Sequence, residues 1–239
     1  MPENLFSRDF FLAAELREMD EDRVPKEESD VSRKPRSVAK TAQVEVSEAG
    51  RRASARLRLV LGSEAHIIVV TGVGGSYGSS MFAAELALAL AELERTRVLL
   101  VGGSTAEPLA NQRFDLPTSP GFCDVIEGRM ELSDAVCPSD RDNFFVLPAG
   151  QAQVAQTALF ASHKCRELMA GLRGQYSYVI VDAGPVLETA ESLLLASLGD
   201  GVLAVVVAGE ARGPEVVRLK EELAAIHAKL LGVVLVERG

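Results

Sequence analysis

Continuous apolar runs alternate with helical patterns through most of the chain, from about residue 46 onward. Helical periodicity covers residues 79–94, 157–173 and 214–229. The apolar runs read HIIVV (66–70), RVLLV (97–101), FFVL (144–147), YVIV (178–181), GVLAVVV (201–207) and LLGVVLV (230–236). Strands that are apolar at successive positions are buried on both faces, as in a parallel sheet covered by helices on each side. The pattern therefore predicts a doubly wound α/β fold, with a mostly parallel sheet flanked by helices.

Residues 1–45 lack this regular pattern. Their centre, DEDRVPKEESDVSRKPRS, is highly charged and predicts a solvated linker. Ahead of it, apolar side chains are spaced to line one side of a short helix: Leu5, Phe6, Phe10, Phe11, Leu12 and Leu16. Such a helix either packs on its own domain or docks into a partner protein. We therefore divide the chain into residues 1–45, a short helix plus charged linker, and residues 46–239, a single α/β domain.

Composition narrows the classes of partner. A formal charge of −9 and a pI near 5.0 argue against binding to nucleic acid or to an anionic membrane surface. No apolar stretch approaches the roughly 20 residues of a membrane span, and the start of the chain lacks the pattern of a signal peptide. The three cysteines form no C-x-x-C pair, which is typical of reduced thiols. We expect a cytoplasmic protein that does not insert directly into a membrane.

The segment TGVGGSYGSS follows the first predicted strand and precedes a helix, where a phosphate-binding loop would stand. In such a loop, backbone N–H groups and the helix start cradle the phosphates, a lysine contacts the β and γ oxygens, and Ser or Thr holds magnesium. Gly74, Gly75 and Gly78 give the loop the flexibility of an anion site, and Ser80 takes the magnesium position. Ser79 stands where the lysine belongs. On these residues alone, a phosphate loop and a glycine-rich turn remain equal alternatives.

Longer stretches resemble the cytosolic kinase domain of the bacterial tyrosine kinases that accompany capsule and exopolysaccharide export, which are relatives of the ParA/MinD-type P-loop ATPases. VLLVGGSTAEPLANQRFDL resembles the Walker A′ stretch of that family, and GFCDVIEGR, FFVLPAG, a stretch ending in VIVDAGPV, and LGDGVLAVVVAGEA follow in family order. The resemblance covers roughly residues 45–237. It implies a P-loop fold of the ParA/MinD type, with Asp182 as the Walker B aspartate.

The departures from the family pattern fall on the catalytic groups. The resemblance implies a lysine at position 79 and magnesium-binding aspartates at positions 102 and 104, where this chain has Ser79, Gly102 and Ser104. Phosphoryl transfer depends on cations placed against the developing charge, so these replacements remove the main catalytic groups. We therefore expect a degenerate kinase, or pseudokinase, that has no catalytic residue.

The resemblance leaves a degenerate nucleotide site made of Gly74, Gly75, Gly78, Ser79, Ser80 and Asp182. Ser80 and Asp182 would hold magnesium if the ion binds. No cofactor is expected, and weak binding of ATP or ADP with magnesium is the alternative.

Two further family features are incomplete. The family's kinases phosphorylate a cluster of tyrosines at their end, whereas the three tyrosines here are Tyr77 in the loop and, beside a strand where packing is expected, Tyr176 and Tyr178. The helix before the first strand has part of the E-x-x-R-x-x-R pattern used in ring assembly, with Glu48 and Arg51 present and Ser54 replacing the last arginine. A family-type ring is therefore not predicted, and another homo-oligomer remains open.

These observations favour one function and leave two others. The first is a pseudokinase that binds the cytosolic segment of a membrane polysaccharide co-polymerase, or a related kinase, and so lies at the inner membrane through its partner. The second is a divergent protein that still binds ATP or ADP, with residual hydrolysis or kinase activity. The third, a ParA/MinD-type positioning factor, is disfavoured because Val73 and Gly74 occupy the place of that class's signature lysine.

Overall fold

A computed structural model describes residues 37–62, 64, 66–74, 77–104, 112–209 and 213–236. The predicted N-terminal helix and most of the predicted linker lie outside these residues. The strands are β1 (His66–Val73), β2 (Val98–Gly102), β3 (Cys137–Pro138), β4 (Phe144–Leu147), β5 (Tyr178–Asp182), β6 (Gly201–Val207) and β7 (Leu230–Val236). The helices are α1 (Glu48–Leu61), α2 (Tyr77–Ala91), α3 (Phe122–Ile126), α4 (Leu132–Ala135), α5 (Gln156–Phe160), α6 (His163–Leu172), α7 (Ala190–Ala196) and α8 (Gly213–Ala225).

The strands form one sheet of seven in the order β3-β4-β2-β5-β1-β6-β7. Every neighbouring pair is parallel except β3 and β4, which are antiparallel. The six apolar runs are all strands, and the predicted doubly wound, mostly parallel fold is confirmed. Strand β3 was not predicted because two residues are too few to show a pattern.

Helices cover both faces of the sheet. Alternate strand residues divide between two apolar cores, so that Ile68 and Val70 of β1 face α1 and α2, while Ile67 and Val69 face α3 and α5–α8. Helix α2 is buried on nearly all sides, since it packs on the central strands and is covered in turn by α1. No helix in the described part of the chain has the length and apolar character needed to cross a bilayer.

The predicted helix at residues 157–173 is wrong in one respect, because it is two helices. Helix α5 ends at Phe160, and the Ser162 side chain accepts a hydrogen bond from the Cys165 amide to begin α6. A serine that caps a helix start satisfies amides that have no partner within the helix, so the chain can change direction without losing hydrogen bonds. The apolar periodicity continues across the break and hides it.

The described end of the predicted linker packs against the domain. Ala39 is fully buried and pairs with Ser139 beside β3, where its amide donates to the Pro138 carbonyl at 2.9 Å. Val44 and Val46 are also buried in the core on the α1 and α2 side. These residues therefore belong to the folded domain, although the charge pattern grouped most of them with the linker.

Gly121 provides a test of the close packing around α3. A Cβ atom there would lie 2.2 Å from the Pro148 carbonyl oxygen and 2.4 Å from the Gly150 amide nitrogen, both of which are backbone atoms that cannot rotate away. We expect Gly121→Ala to lower the free energy of unfolding by about 1–3 kcal/mol. Gly171→Ala in α6 is the matched control, because nothing lies within 4 Å of its Cβ position, and it should raise that energy by up to about 1 kcal/mol. Urea denaturation of both variants measures the difference, and equal stabilities would contradict the packing.

Candidate functional site

The predicted site residues meet at the carboxyl ends of the central strands. Asp182, the last residue of β5, is in register with Val70 of β1 on one side and Gly102 of β2 on the other. In a doubly wound sheet, ligands bind in the crevice outside the carboxyl ends of the strands. The parallel order of β2, β5 and β1 therefore brings together Asp182, Gly102 at the end of β2 and the glycine-rich segment that follows β1.

Two glycines shape the segment after β1 in different ways. Gly74 has a φ of +85°, a conformation that side chains disfavour, and Gly75 lies outside the described residues. Gly78 lies in the first turn of α2, where a Cβ atom would come within 2.5 Å of Val207 Cγ2. Glycine at position 78 therefore lets the start of α2 approach β6 closely, as a helix that presents its N-terminus to a ligand requires.

Ser79 and Ser80 are both buried in the first turn of α2. The Ser80 Oγ and the Asp182 Oδ1 are buried atoms without a regular hydrogen-bond partner. Burial raises the pKa of the Asp182 carboxyl from 3.8 to about 6, and the nearby Ser80 hydroxyl and Gly184 amide partly oppose this by favouring the ionised form. A buried carboxylate is usually paired with a cation or with several donors, so this pair is incompletely satisfied.

The two Walker A′ positions differ in how they could hold a carboxylate. A Cβ atom at Gly102 would lie 2.9 Å from the Ala149 amide nitrogen and 3.3 Å from its Cα, so the loop after β4 occupies the space of a side chain. Ser104 is partly exposed and lies beside Gly184. Between them, the Gly103 amide donates to the Asp182 carbonyl at 2.8 Å. An aspartate therefore fits at position 104, whereas at position 102 it would displace the Ala149 backbone.

Sequence reasoning missed the hydroxyls that shape the segment after β5. Thr71, fully buried, donates to the Gly184 carbonyl at 2.7 Å and accepts from the Val186 amide at 2.9 Å. Ser192 of α7 donates to the Ala183 carbonyl. These contacts hold the turn that follows Asp182. The one signal for Thr71 was a polar residue within an otherwise apolar strand, and nothing in the sequence pointed to Ser192.

The described residues offer few donors to a metal ion. In the described part of the chain, no group of three or more His, Cys, Asp or Glu side chains is placed to hold a metal. Hard cations such as magnesium prefer several oxygen ligands, and the site offers Asp182 as its carboxylate, with hydroxyls from Ser80 and Ser104. The arrangement can present backbone N–H groups and hydroxyls to an anion, but within the described residues it has no lysine to neutralise it.

Tyr176 and Tyr178 are buried by packing, as the sequence predicted. Tyr178 is buried, and its hydroxyl donates to the Gly62 carbonyl at 3.3 Å. Tyr176 is also buried, and its ring packs at an edge against Phe145, with the Arg97 guanidinium over both rings. Burial raises the pKa of both phenols. Tyr77 differs, since 59% of its surface is exposed at the start of α2.

Asp182 gives the site a pH dependence that stability measurements can detect. Its folded pKa of about 6 lies above its ordinary 3.8, so the folded state holds the proton more tightly than the unfolded state does. The resulting stabilisation is complete below pH 3.8 and is lost as the pH rises through about 6. A shift of about two units corresponds to about 3 kcal/mol. Asp182→Asn should remove this dependence and be more stable than the natural protein at pH 7.5.

Urea denaturation of the two proteins between pH 4 and pH 7.5 measures this effect, because other titrating groups contribute equally to both and cancel in the difference. The gap in unfolding free energy should widen with pH in favour of Asp182→Asn. Parallel curves would show that Asp182 is not desolvated as its burial implies.

Known proteins resemble this chain in sequence and in fold. A sequence profile of the family described as cellulose biosynthesis protein BcsQ matches residues 65–231. The tyrosine-protein kinase CpsD of Streptococcus agalactiae is 26% identical over 175 residues, which is 73% of this chain and 76% of CpsD. The tyrosine-protein kinase YwqD of Bacillus subtilis is 27% identical over 168 residues, or 70% of each chain.

Solved structures agree with these sequence relationships. The kinase domain of VpsO has a TM-score of 0.75 and 26% identity, and the match covers 83% of this chain and 97% of that one. The MinC:MinD complex of Aquifex aeolicus, at 22% identity and a TM-score of 0.60, shows the shared fold over 72% of this chain and 68% of that one. The predicted resemblance is confirmed: the chain belongs to the cellulose biosynthesis protein BcsQ family, and its α/β domain is of the bacterial tyrosine kinase type.

Proposed function

We propose that this protein is a pseudokinase, which regulates or assembles an exopolysaccharide system through its surfaces rather than through phosphoryl transfer. The observation that carries the proposal is the packing at the end of β2. Gly102 stands where the family has a metal-binding aspartate, and the Ala149 backbone fills the space that a side chain would need. The site has therefore lost its carboxylate and the room for it together.

The electrostatics of the site support the same proposal. Phosphoryl transfer needs cations against the developing charge, and removing one preorganised group of this kind costs about 3–4 kcal/mol of transition-state stabilisation. Ser79 supplies no charge at the lysine position, and Gly102 supplies none to a metal. Without these two charges, the site can hold a phosphate group but cannot stabilise the negative charge that develops during phosphoryl transfer.

The partner we propose is the cytosolic segment of a membrane polysaccharide co-polymerase, or a related active kinase. The family's link to cellulose biosynthesis and the tyrosine kinases among its relatives support a polysaccharide system. Binding to such a partner would bring the protein to the inner face of the membrane without any span of its own. Neither role needs a cofactor.

One observation favours a second candidate function, the binding of ATP or ADP. Ser80 and Asp182 are kept at the family's magnesium positions, and their buried oxygens lack regular hydrogen-bond partners. A buried polar atom without a partner is costly, and a bound nucleotide with its ion could satisfy both. In this case the nucleotide would stabilise a conformation rather than react.

Autophosphorylation distinguishes an active kinase from the pseudokinase. We expect no phosphotyrosine when the purified protein is incubated with magnesium and ATP, because the lysine and the metal carboxylate are both absent. Mass spectrometry of the product tests this, with attention to Tyr77, the exposed tyrosine of the described chain. Phosphotyrosine formed in the presence of ATP alone would overturn the proposal.

Restoring the lost groups tests which of them limits nucleotide binding. Ser79→Lys alone should raise the affinity for magnesium-ATP modestly, by about tenfold or less, since no Walker A′ carboxylate holds the metal. The combination with Gly102→Asp and Ser104→Asp should bind more tightly than any single change, with non-additive coupling through the shared metal. Because Gly102→Asp crowds Ala149, this combination should also be less stable than Ser79→Lys by about 1–3 kcal/mol.

Calorimetric titration of each variant with magnesium-ATP, beside urea denaturation, measures both effects. Ser79→Gln is the matched control, because it adds a long side chain without a charge. Tight binding by the natural protein would instead favour the nucleotide-binding candidate.

A further inference from the structure

Strand β7 has the sequence of a central strand but lies at the edge of the sheet. It reads LLGVVLV, without a charged residue or a proline, and β6 is its only neighbour within the described residues. Edge strands of soluble proteins are usually protected by charges, prolines or bulges, because their free backbone groups can pair with another chain. A run that is apolar on both faces is instead typical of a strand paired on both sides.

The exposed surface beside β7 continues this apolar character. A groove of about 830 Å³ lies between α1 and β7. Leu59 and Val60 of α1 are 86% and 62% exposed at this groove. Val233 and Leu235 of β7, 49% and 64% exposed, are in register with Ala204 and Val206, so their side chains lie on the opposite face of the strand from α1. Contiguous exposed apolar residues of this kind mark interaction sites.

The charges along the groove indicate what kind of segment it fits. Helix α1 has four arginines and one glutamate in a chain whose formal charge is −9. Arg52 and Arg56 are exposed and line the groove. A second copy that paired β7 to β7 about a two-fold axis would bring the same arginines to the contact, where like charges repel, whereas an acidic segment would be attracted to them.

We propose that an extended segment of a partner protein, apolar in its centre and acidic at its ends, adds to β7 as a further strand and packs against α1. Its backbone would pair with the edge of β7, and its alternate side chains would cover Leu59 on the α1 face and Leu235 on the opposite face. Its carboxylates would meet Arg52 and Arg56. This mode of binding takes affinity from backbone hydrogen bonds and specificity from side-chain pockets. It rests on the proposed function, in which the partner is the cytosolic segment of a polysaccharide co-polymerase.

The experiment uses the full chain and a purified peptide of the cytosolic segment of the co-polymerase encoded in the same exopolysaccharide locus. Calorimetric titration gives the dissociation constant for the natural protein and for Leu235→Lys and Val233→Lys. Each variant should weaken binding by about tenfold or more, because a lysine at the contact must be buried without a partner. Val217→Lys is the matched control, since Val217 is exposed on α8 away from the groove, and it should bind like the natural protein.

Two further readouts separate the parts of the interaction. The double variant Arg52→Glu with Arg56→Glu should weaken binding and reduce its dependence on salt concentration, as expected for exposed charge pairs. Amide hydrogen exchange at residues 230–236 should slow when the segment is bound, because strand addition protects the free edge of β7. Circular dichroism of each variant checks that it remains folded.

The outcomes distinguish this inference from the proposed function. If the natural protein binds the segment and the two lysine variants bind it equally well, the docking surface is wrong and the proposed function stands. If the natural protein does not bind the segment, both fail. If sedimentation shows that the natural protein self-associates and Leu235→Lys abolishes this, the occupant is a second copy, and the partner-strand inference is overturned.

Discussion

The contact between the end of β2 and the loop after β4 determines what the centre of this molecule can hold. At Gly102 a side chain would meet the Ala149 backbone at 2.9 Å, so the loop after β4 closes the crevice at the end of β2. An aspartate at position 102 would therefore require the loop after β4 to move.

Asp182, the register neighbour of Gly102 on β5, shows the energetics of the site. Its carboxyl is buried between β1 and β2, and burial raises its pKa to about 6 because within the described residues no lysine is placed to balance the charge. In a working site of this type the cations would hold that carboxylate ionised. Here the folded protein tolerates the group at a cost to stability that grows above about pH 6. The Ser80 hydroxyl next to it is likewise short of a partner.

Sequence alone predicted the parts of this structure that depend on repeated patterns. All six apolar runs are strands, since burial on both faces leaves an unbroken hydrophobic signature. The positions of Ser80 and Asp182 were also predictable, because each follows directly from a motif. The contact of Gly102 with Ala149 was not, because it joins residues far apart in the chain and depends on backbone atoms that carry no sequence signal. The break at Ser162 was missed for a related reason, since a capping serine does not disturb the apolar periodicity.

Strand β7, at the edge of the sheet, is subject to a different constraint. A strand that is apolar on both faces, such as β7, lowers the solubility of a protein if its edge stays unpaired. Unpaired backbone groups beside apolar side chains promote association with other chains. Such a strand is tolerated when something covers it, and the basic α1 helix beside it would favour an acidic segment over the basic α1 of a two-fold related copy. For the proposed pseudokinase, the apolar edge strand offers a means of recognition at the surface. The proposed docking surface of α1 and β7 lies at the edge of the sheet, three strands away from β5 and Asp182.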